Sequence, residues 1–158
     1  MLYISDTFAY TDGFHGDIGA WDTSRVVNMR TTFSYSNAFS DDVSQWDTSR
    51  LLYMYRTFHY ATIDLDLAGW DTSSVTDMYG AFSYSTFNRE LPWDTSSVHN
   101  LLETFRSASK FNGNIQFWDT SRVTTLRRKQ IPLTPIIYIL SSTLTNISNE
   151  PLYMYILI

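Results

Sequence analysis

Trp21-Asp22-Thr23-Ser24 returns four times, at Trp46-Asp47-Thr48-Ser49, Trp70-Asp71-Thr72-Ser73, Trp93-Asp94-Thr95-Ser96 and Trp118-Asp119-Thr120-Ser121. The intervals between these tryptophans are nearly equal, and the sequence contains no other Trp. A fixed period of about two dozen residues is the signature of a solenoid, in which each repeat is one coil stacked on the last. One coil cannot bury enough apolar surface to offset the entropy of ordering it, so neighbours must supply the rest.

Apolar residues recur at set distances from each Trp. Five residues on come Val26, Leu51, Val75, Val98 and Val123; eight on come Met29, Met54, Met78, Leu101 and Leu126. Twelve on stand Phe33, Phe58, Phe82 and Phe105, and fifteen on the small residues Ser36, Ala61, Ser85 and Ala108. Phe39, Ile63, Phe87 and Phe111 follow, and then Val43, Leu67, Leu91 and Ile115. From Val26 to Ser36 the spacing i, i+3, i+7, i+10 predicts a helical stripe. Asp22, Thr23 and Ser24 stand where side-chain oxygens cap its first turn. From Phe39 to Trp46 the composition suits a short strand. One extended and one short helical segment per coil make the leucine-rich type of repeat. A second short strand at Val26–Met29, with the turn confined to Arg30–Tyr35, is the alternative.

The repeats divide the chain into a partial coil at 1–20, coils at 21–45, 46–69, 70–92 and 93–117, and a partial coil at 118–128. Ile18, Phe14, Phe8 and Ile4 fill the apolar places ahead of Trp21, so the sequence opens inside a repeat. This reads as a piece of a longer array. Residues 129–158 leave the pattern, with Glu150 the one charge after residue 130. An apolar cap on the last coil, a tail read from a shifted frame and a peripheral membrane contact all fit that stretch. Asn146-Ile147-Ser148, an N-glycosylation triplet, lies in it.

Composition narrows the function. Hydrophobic residues make up 44% and charged residues 17%, as in a folded chain. A net charge of −5 speaks against a nucleic-acid partner, which needs a basic face. There is no cysteine for a disulfide or thiolate site. No apolar run reaches the length that spans a bilayer, and the first residues lack a secretory signal. His15, His59 and His99 fall at three different phases of the repeat, so they read as exposed and incidental rather than as a catalytic or metal set. Neither a nucleophile motif nor a phosphate-binding glycine loop occurs, and no enzymatic activity, catalytic residue or cofactor is expected.

Asp22, Asp47, Asp71, Asp94 and Asp119 hold one repeat position, and stacking turns them into a ladder near ~4.8 Å spacing. Either each carboxylate caps its own turn, or the ladder binds Ca²⁺ and the chain is a Ca²⁺-stabilised structural array. One carboxylate per coil is a sparse ligand set, which favours the caps. The tryptophan column reads as core. The candidate interaction surface is Tyr35, Tyr60 and Tyr84, late in the helical stripe, with Gln45 and Gln116 on the extended segments.

Val75-Thr76-Asp77-Met78 with Phe82, Phe111-Asn112-Gly113-Asn114-Ile115 and the recurring Trp-Asp-Thr-Ser carry a family likeness. Over about residues 4–128 the chain resembles BspA-like leucine-rich repeat surface proteins. More narrowly it resembles the short Trp-Asp-Thr-Ser repeats of the domain of unknown function 285 (DUF285) family. The resemblance implies right-handed stacking and a cell-surface or secreted module for adhesion or protein interaction. It implies a protein or cell-surface ligand as partner, and it supplies no catalytic residues. The chain departs from the family's pattern in lacking a signal or lipobox cysteine.

Overall fold

The structure, a computed structural model, describes residues 1–14 and 16–124. His15 and residues 125–158, which include Leu126, the end of the last partial coil and the whole of 129–158 with its Asn146 triplet, lie outside the described residues.

Each repeat is one turn of chain lying on the next, with backbone hydrogen bonds running between residues about one repeat apart. Regular strands are short: β1 (Leu2–Tyr3) pairs in parallel with β2 (Val26–Asn28), and β3 (Asn37–Phe39) with β4 (Thr62–Ile63). Single parallel bridges extend both ladders. Asn28, Tyr53, Asp77 and Asn100 continue the first, and Asp12–Asn37 extends the second.

This overturns the predicted coil of one helix and one strand. No helix forms among the described residues, and Val26–Asn28, read chiefly as the start of a helix, is a strand. The leucine-rich type of coil is therefore not what this chain makes. The extended piece is also displaced, since β3 ends at Phe39, where the strand was expected to begin.

The physical reason lies in the segment after the first ladder, where backbone N–H groups alternate between two uses. Thr32, Ser34 and Ser36 donate to carbonyls three residues back, those of Met29, Thr31 and Phe33, and close tight turns. Thr31, Phe33 and Tyr35 donate instead to Tyr55, Thr57 and His59 of the next coil. An α-helix would direct every N–H to the carbonyl four residues back. Two left-handed residues per coil enforce the alternation: Asp6 and Tyr10, Thr31 and Tyr35, Arg56 and Tyr60, Gly80 and Tyr84, Glu103 and Ser107, with φ between 51° and 61°. Turns at this interval reproduce the apolar spacing of a helix without its hydrogen bonds.

The core is built of columns. Phe8, Phe33, Phe58, Phe82 and Phe105 stack at 5.1–5.4 Å between ring centroids. The five tryptophans stack at 6.2–6.5 Å, four of them buried and Trp21 43% exposed. Val26, Leu51, Val75, Val98 and Val123, and the column of Met29, Met54, Met78 and Leu101, are buried as their spacing predicts.

From the second coil on, the repeated tetrapeptide ties coils to both neighbours, while the buried hydroxyls of Thr23 and Thr120 find no partner among the described residues. Backwards, the indole N–H of Trp46, Trp70, Trp93 and Trp118 donates to Ile18, Val43, Leu67 and Leu91 carbonyls at 2.9–3.1 Å. Forwards, the buried hydroxyls of Thr48, Thr72 and Thr95 donate to the carbonyls of Asp71, Asp94 and Asp119 at 2.9–3.1 Å. The column stays in register even where Leu91-Pro92-Trp93 is one residue short.

Replacing one ring of the phenylalanine column opens a cavity, so Phe58→Ala should cost about 3–5 kcal/mol in urea unfolding. Thr72→Val, which keeps the shape and removes one forward hydrogen bond, should cost about 1 kcal/mol. Equal costs for the two would show that the hydroxyl column matters as much as the aromatic one.

Candidate interaction face

The tyrosines proposed from sequence come together. Tyr10, Tyr35, Tyr60 and Tyr84 stack as one ladder with centroids 4.8, 4.8 and 4.4 Å apart and planes within 7° of parallel. All four are left-handed residues, so each turn projects its side chain from the same corner of the coil. Tyr35 and Tyr60 are 36% and 41% exposed, and Tyr10 is 74% exposed. Tyr10 escapes the sequence reading, although it precedes Tyr35 by the same interval that separates Tyr35 from Tyr60.

Gln45 and Gln116 are exposed but belong to another strip, in the connections before the tryptophans. The Gln45 side-chain amide donates to the Ser44 hydroxyl, and the Gln116 N–H donates to the Asn114 carboxamide. No described contact joins either to the tyrosines. Gln45 borders a shallow depression formed with Gly16–Gly19, Asp41 and Asp42.

Beneath the ladder lies a residue that the sequence reading places at the surface. His59 is only 8% exposed, and its ring stands edge-to-face with Tyr60, Tyr35 and Tyr84. The turn causes this by burying three consecutive residues, Thr57, Phe58 and His59, which a helical stripe would not do. Nδ1 of His59 lies 2.6 Å from the Ser83 hydroxyl, which itself donates to the Gly80 carbonyl. Ser83 Oγ must therefore accept, and Nδ1 carries the proton in the neutral ring. His99 is exposed, as expected.

The aspartate ladder resolves into turn caps. Oδ1 of Asp22, Asp47, Asp71, Asp94 and Asp119 accepts the N–H of the serine two residues on at 2.8–3.1 Å. In the first three coils the serine hydroxyl donates to the same oxygen at 2.6 Å. The hydroxyl and then the N–H hold Asp22 and Asp47 below the ordinary carboxylate value. For Asp94 and Asp119 the N–H is the larger cause. The same cap recurs at Asn28, Asp77 and Asn100, and at Asp42, Asp66 and Asn114. Among the described residues no three carboxylate or imidazole groups gather as metal ligands. No described helix is long and apolar enough to cross a membrane.

Parallel coils of similar length, tied by buried aromatic columns and carrying a half-exposed tyrosine strip, define a repeat protein whose outstanding surface feature is that strip. The chain belongs to the family described as "Mycoplasma protein of unknown function, DUF285", whose model matches residues 2–63 and 62–129. That match carries the narrower of the two likenesses read from the sequence and does not extend to a leucine-rich BspA-like identity. No curated protein and no solved structure matches the chain.

Burial, and the Arg56 charge after it, lower the His59 pKa from its ordinary 6.5, while a hydrogen bond to the Ser83 backbone and then the Glu103 charge oppose the shift and Arg106 adds to it. A histidine held neutral in the fold supplies stability that is complete above the ordinary value and is lost as pH falls below it through the folded value. Stability should therefore fall as pH drops from about 7 into the acid range. His59→Ser, which copies Ser34 and Ser83 at the same repeat position, should flatten that fall. Urea midpoints of both proteins across the range measure it, and parallel curves would show that another group governs the dependence.

Proposed function

We propose that this chain is a non-catalytic interaction or adhesion module of a surface or secreted repeat protein, and that the tyrosine strip is its contact face. The observation that carries the reading is the half-exposed ladder Tyr10–Tyr35–Tyr60–Tyr84. Tyrosine buries a large area with few rotors and keeps a hydroxyl for hydrogen bonding, which suits it to contact surfaces. Stacking fixes these rings before any partner arrives, so little side-chain entropy remains to be lost on binding. The rigid coil behind them holds the row straight. No observation favours the Ca²⁺ array, because the carboxylates that would form it already cap turns. The family supports the reading only as far as a repeat protein of unknown function.

Serine suits the test substitution, since Ser107 already takes the left-handed place in the coil after Tyr84. Purified, labelled chain should bind intact cells or immobilised extracellular glycoproteins. The triple variant Tyr35→Ser, Tyr60→Ser, Tyr84→Ser should weaken that binding by about tenfold or more. Retained affinity in a folded triple variant, or no binding by the parent chain, would remove the reading. Protease treatment of intact source cells should also strip the protein, and its resistance would argue against a surface position.

A further inference from the structure

A second strip runs beside the tyrosine ladder, and it carries two arginines, Arg30 and Arg56. Arg30, Tyr55 and Tyr79 occupy one repeat position in successive coils. The Arg30 guanidinium lies 4.4 Å over the Tyr55 ring, which in turn stacks on Tyr79 at 4.9 Å. Arg56, one position on, lies 5.6 and 5.4 Å from the centroids of these two rings. Its Nε is buried and has no hydrogen-bond partner, and the two rings with the Tyr79 hydroxyl hold the group. The ion pairs among the described residues are Arg89–Asp64 and Arg106–Glu103, so Arg30 and Arg56, like Arg25, Arg50, Lys110 and Arg122, stand outside them. The Tyr79 hydroxyl donates to Glu103 at 3.1 Å, and Arg106 lies over Tyr84, so the two strips form one face.

Two features of this face select a ligand chemistry. The chain as a whole carries −5, so two guanidinium groups outside any described ion pair run against its overall sign, even with Asp6 and Glu103 two coils away on either side of Arg56 in its column. Stacking covers both faces of the inner rings, Tyr35 and Tyr60, which leaves no face there for a sugar ring to lie on. What remains outward are ring edges with their hydroxyls and the edges of the guanidinium groups. These donate hydrogen bonds to carboxylates and peptide carbonyls.

We propose that Arg30 and Arg56, with the hydroxyl edges of Tyr35 and Tyr60, bind an extended acidic polypeptide segment. This rests on the interaction reading above and names the partner's chemistry. Carboxylates of the segment pair with the two guanidinium groups, and the tyrosine hydroxyls meet its backbone. The acidic remainder of the surface repels the same segment and confines it to this face.

The test titrates the full chain with a fluorescent oligoglutamate peptide, with an oligoglutamine peptide of the same length and with heparin. Oligoglutamate should bind with an affinity that falls as salt rises, and oligoglutamine should not bind. Arg30→Gln with Arg56→Gln should weaken oligoglutamate about tenfold or more. Arg25→Gln with Arg50→Gln, beside the capping aspartates, should change it by no more than about twofold. Arg30→Gln alone alters an exposed side chain and should still weaken binding severalfold, which covers the case of a misfolded double variant. Absent oligoglutamate binding, equal losses in both pairs, or heparin binding that alone depends on Arg30 and Arg56 would each overturn the proposal. A chain that binds cells through its tyrosines but ignores oligoglutamate loses this inference alone. A chain that binds neither loses the interaction reading as well.

Discussion

Everything in this molecule depends on hydrogen bonds that cross from one coil to the next. The tetrapeptide concentrates three kinds of contact in four residues, each with its own direction. The indole N–H of Trp points to the coil before, the threonine hydroxyl points to the coil after, and the aspartate closes its own turn onto serine. Buried donors seek acceptors, and for the indoles of Trp46 to Trp118 and the hydroxyls of Thr48, Thr72 and Thr95 these are carbonyls one repeat away. Tryptophan is required for its N–H as well as its bulk, and threonine for a hydroxyl beside a methyl. This explains why the four residues recur together when other positions vary.

How far the fold can be read from the sequence follows from what spacing encodes. The near-constant interval between tryptophans sets the stacking, and each apolar column is legible because stacked coils must share one core. The buried tryptophans, the aspartate caps and three rungs of the tyrosine ladder are legible on the same ground. Secondary structure is not, because the spacing from Val26 to Ser36 fits a helix and a chain of tight turns equally well. The distinction lies in the destination of alternate backbone N–H groups, on which side-chain identity says little. Left-handed residues usually announce themselves as glycine or asparagine, but here most are Tyr, Thr, Asp, Arg or Glu, and in the paired turns only Gly80 gives the ordinary signal. His59 is misplaced for a related reason. A helical projection sets it apart from Phe58, whereas the turn brings both inward.

The tyrosine ladder shows how one backbone choice reaches the surface. A left-handed residue at the end of each turn throws its side chain outward, and repetition brings those side chains into contact. The same turn sinks the residue before it, which is why a histidine lies under the ring edges. Arginine enters the neighbouring column at Arg30 in place of a tyrosine and continues the stack through its planar guanidinium. Core columns and surface strips are thus products of one geometry, in which a position's fate is set by its phase in the coil.

The left-handed pairs also bear on how such a chain comes to be folded. Each non-glycine residue held at positive φ is disfavoured by about 1 kcal/mol or more when it stands alone. An isolated coil would need two of them with no carbonyl row to receive its outward N–H groups. A coil already formed offers that row, so the next one is templated on its edge. Assembly of this kind has a costly first step and favourable later ones, as in a zipper, and each added repeat meets the same terms as the one before it.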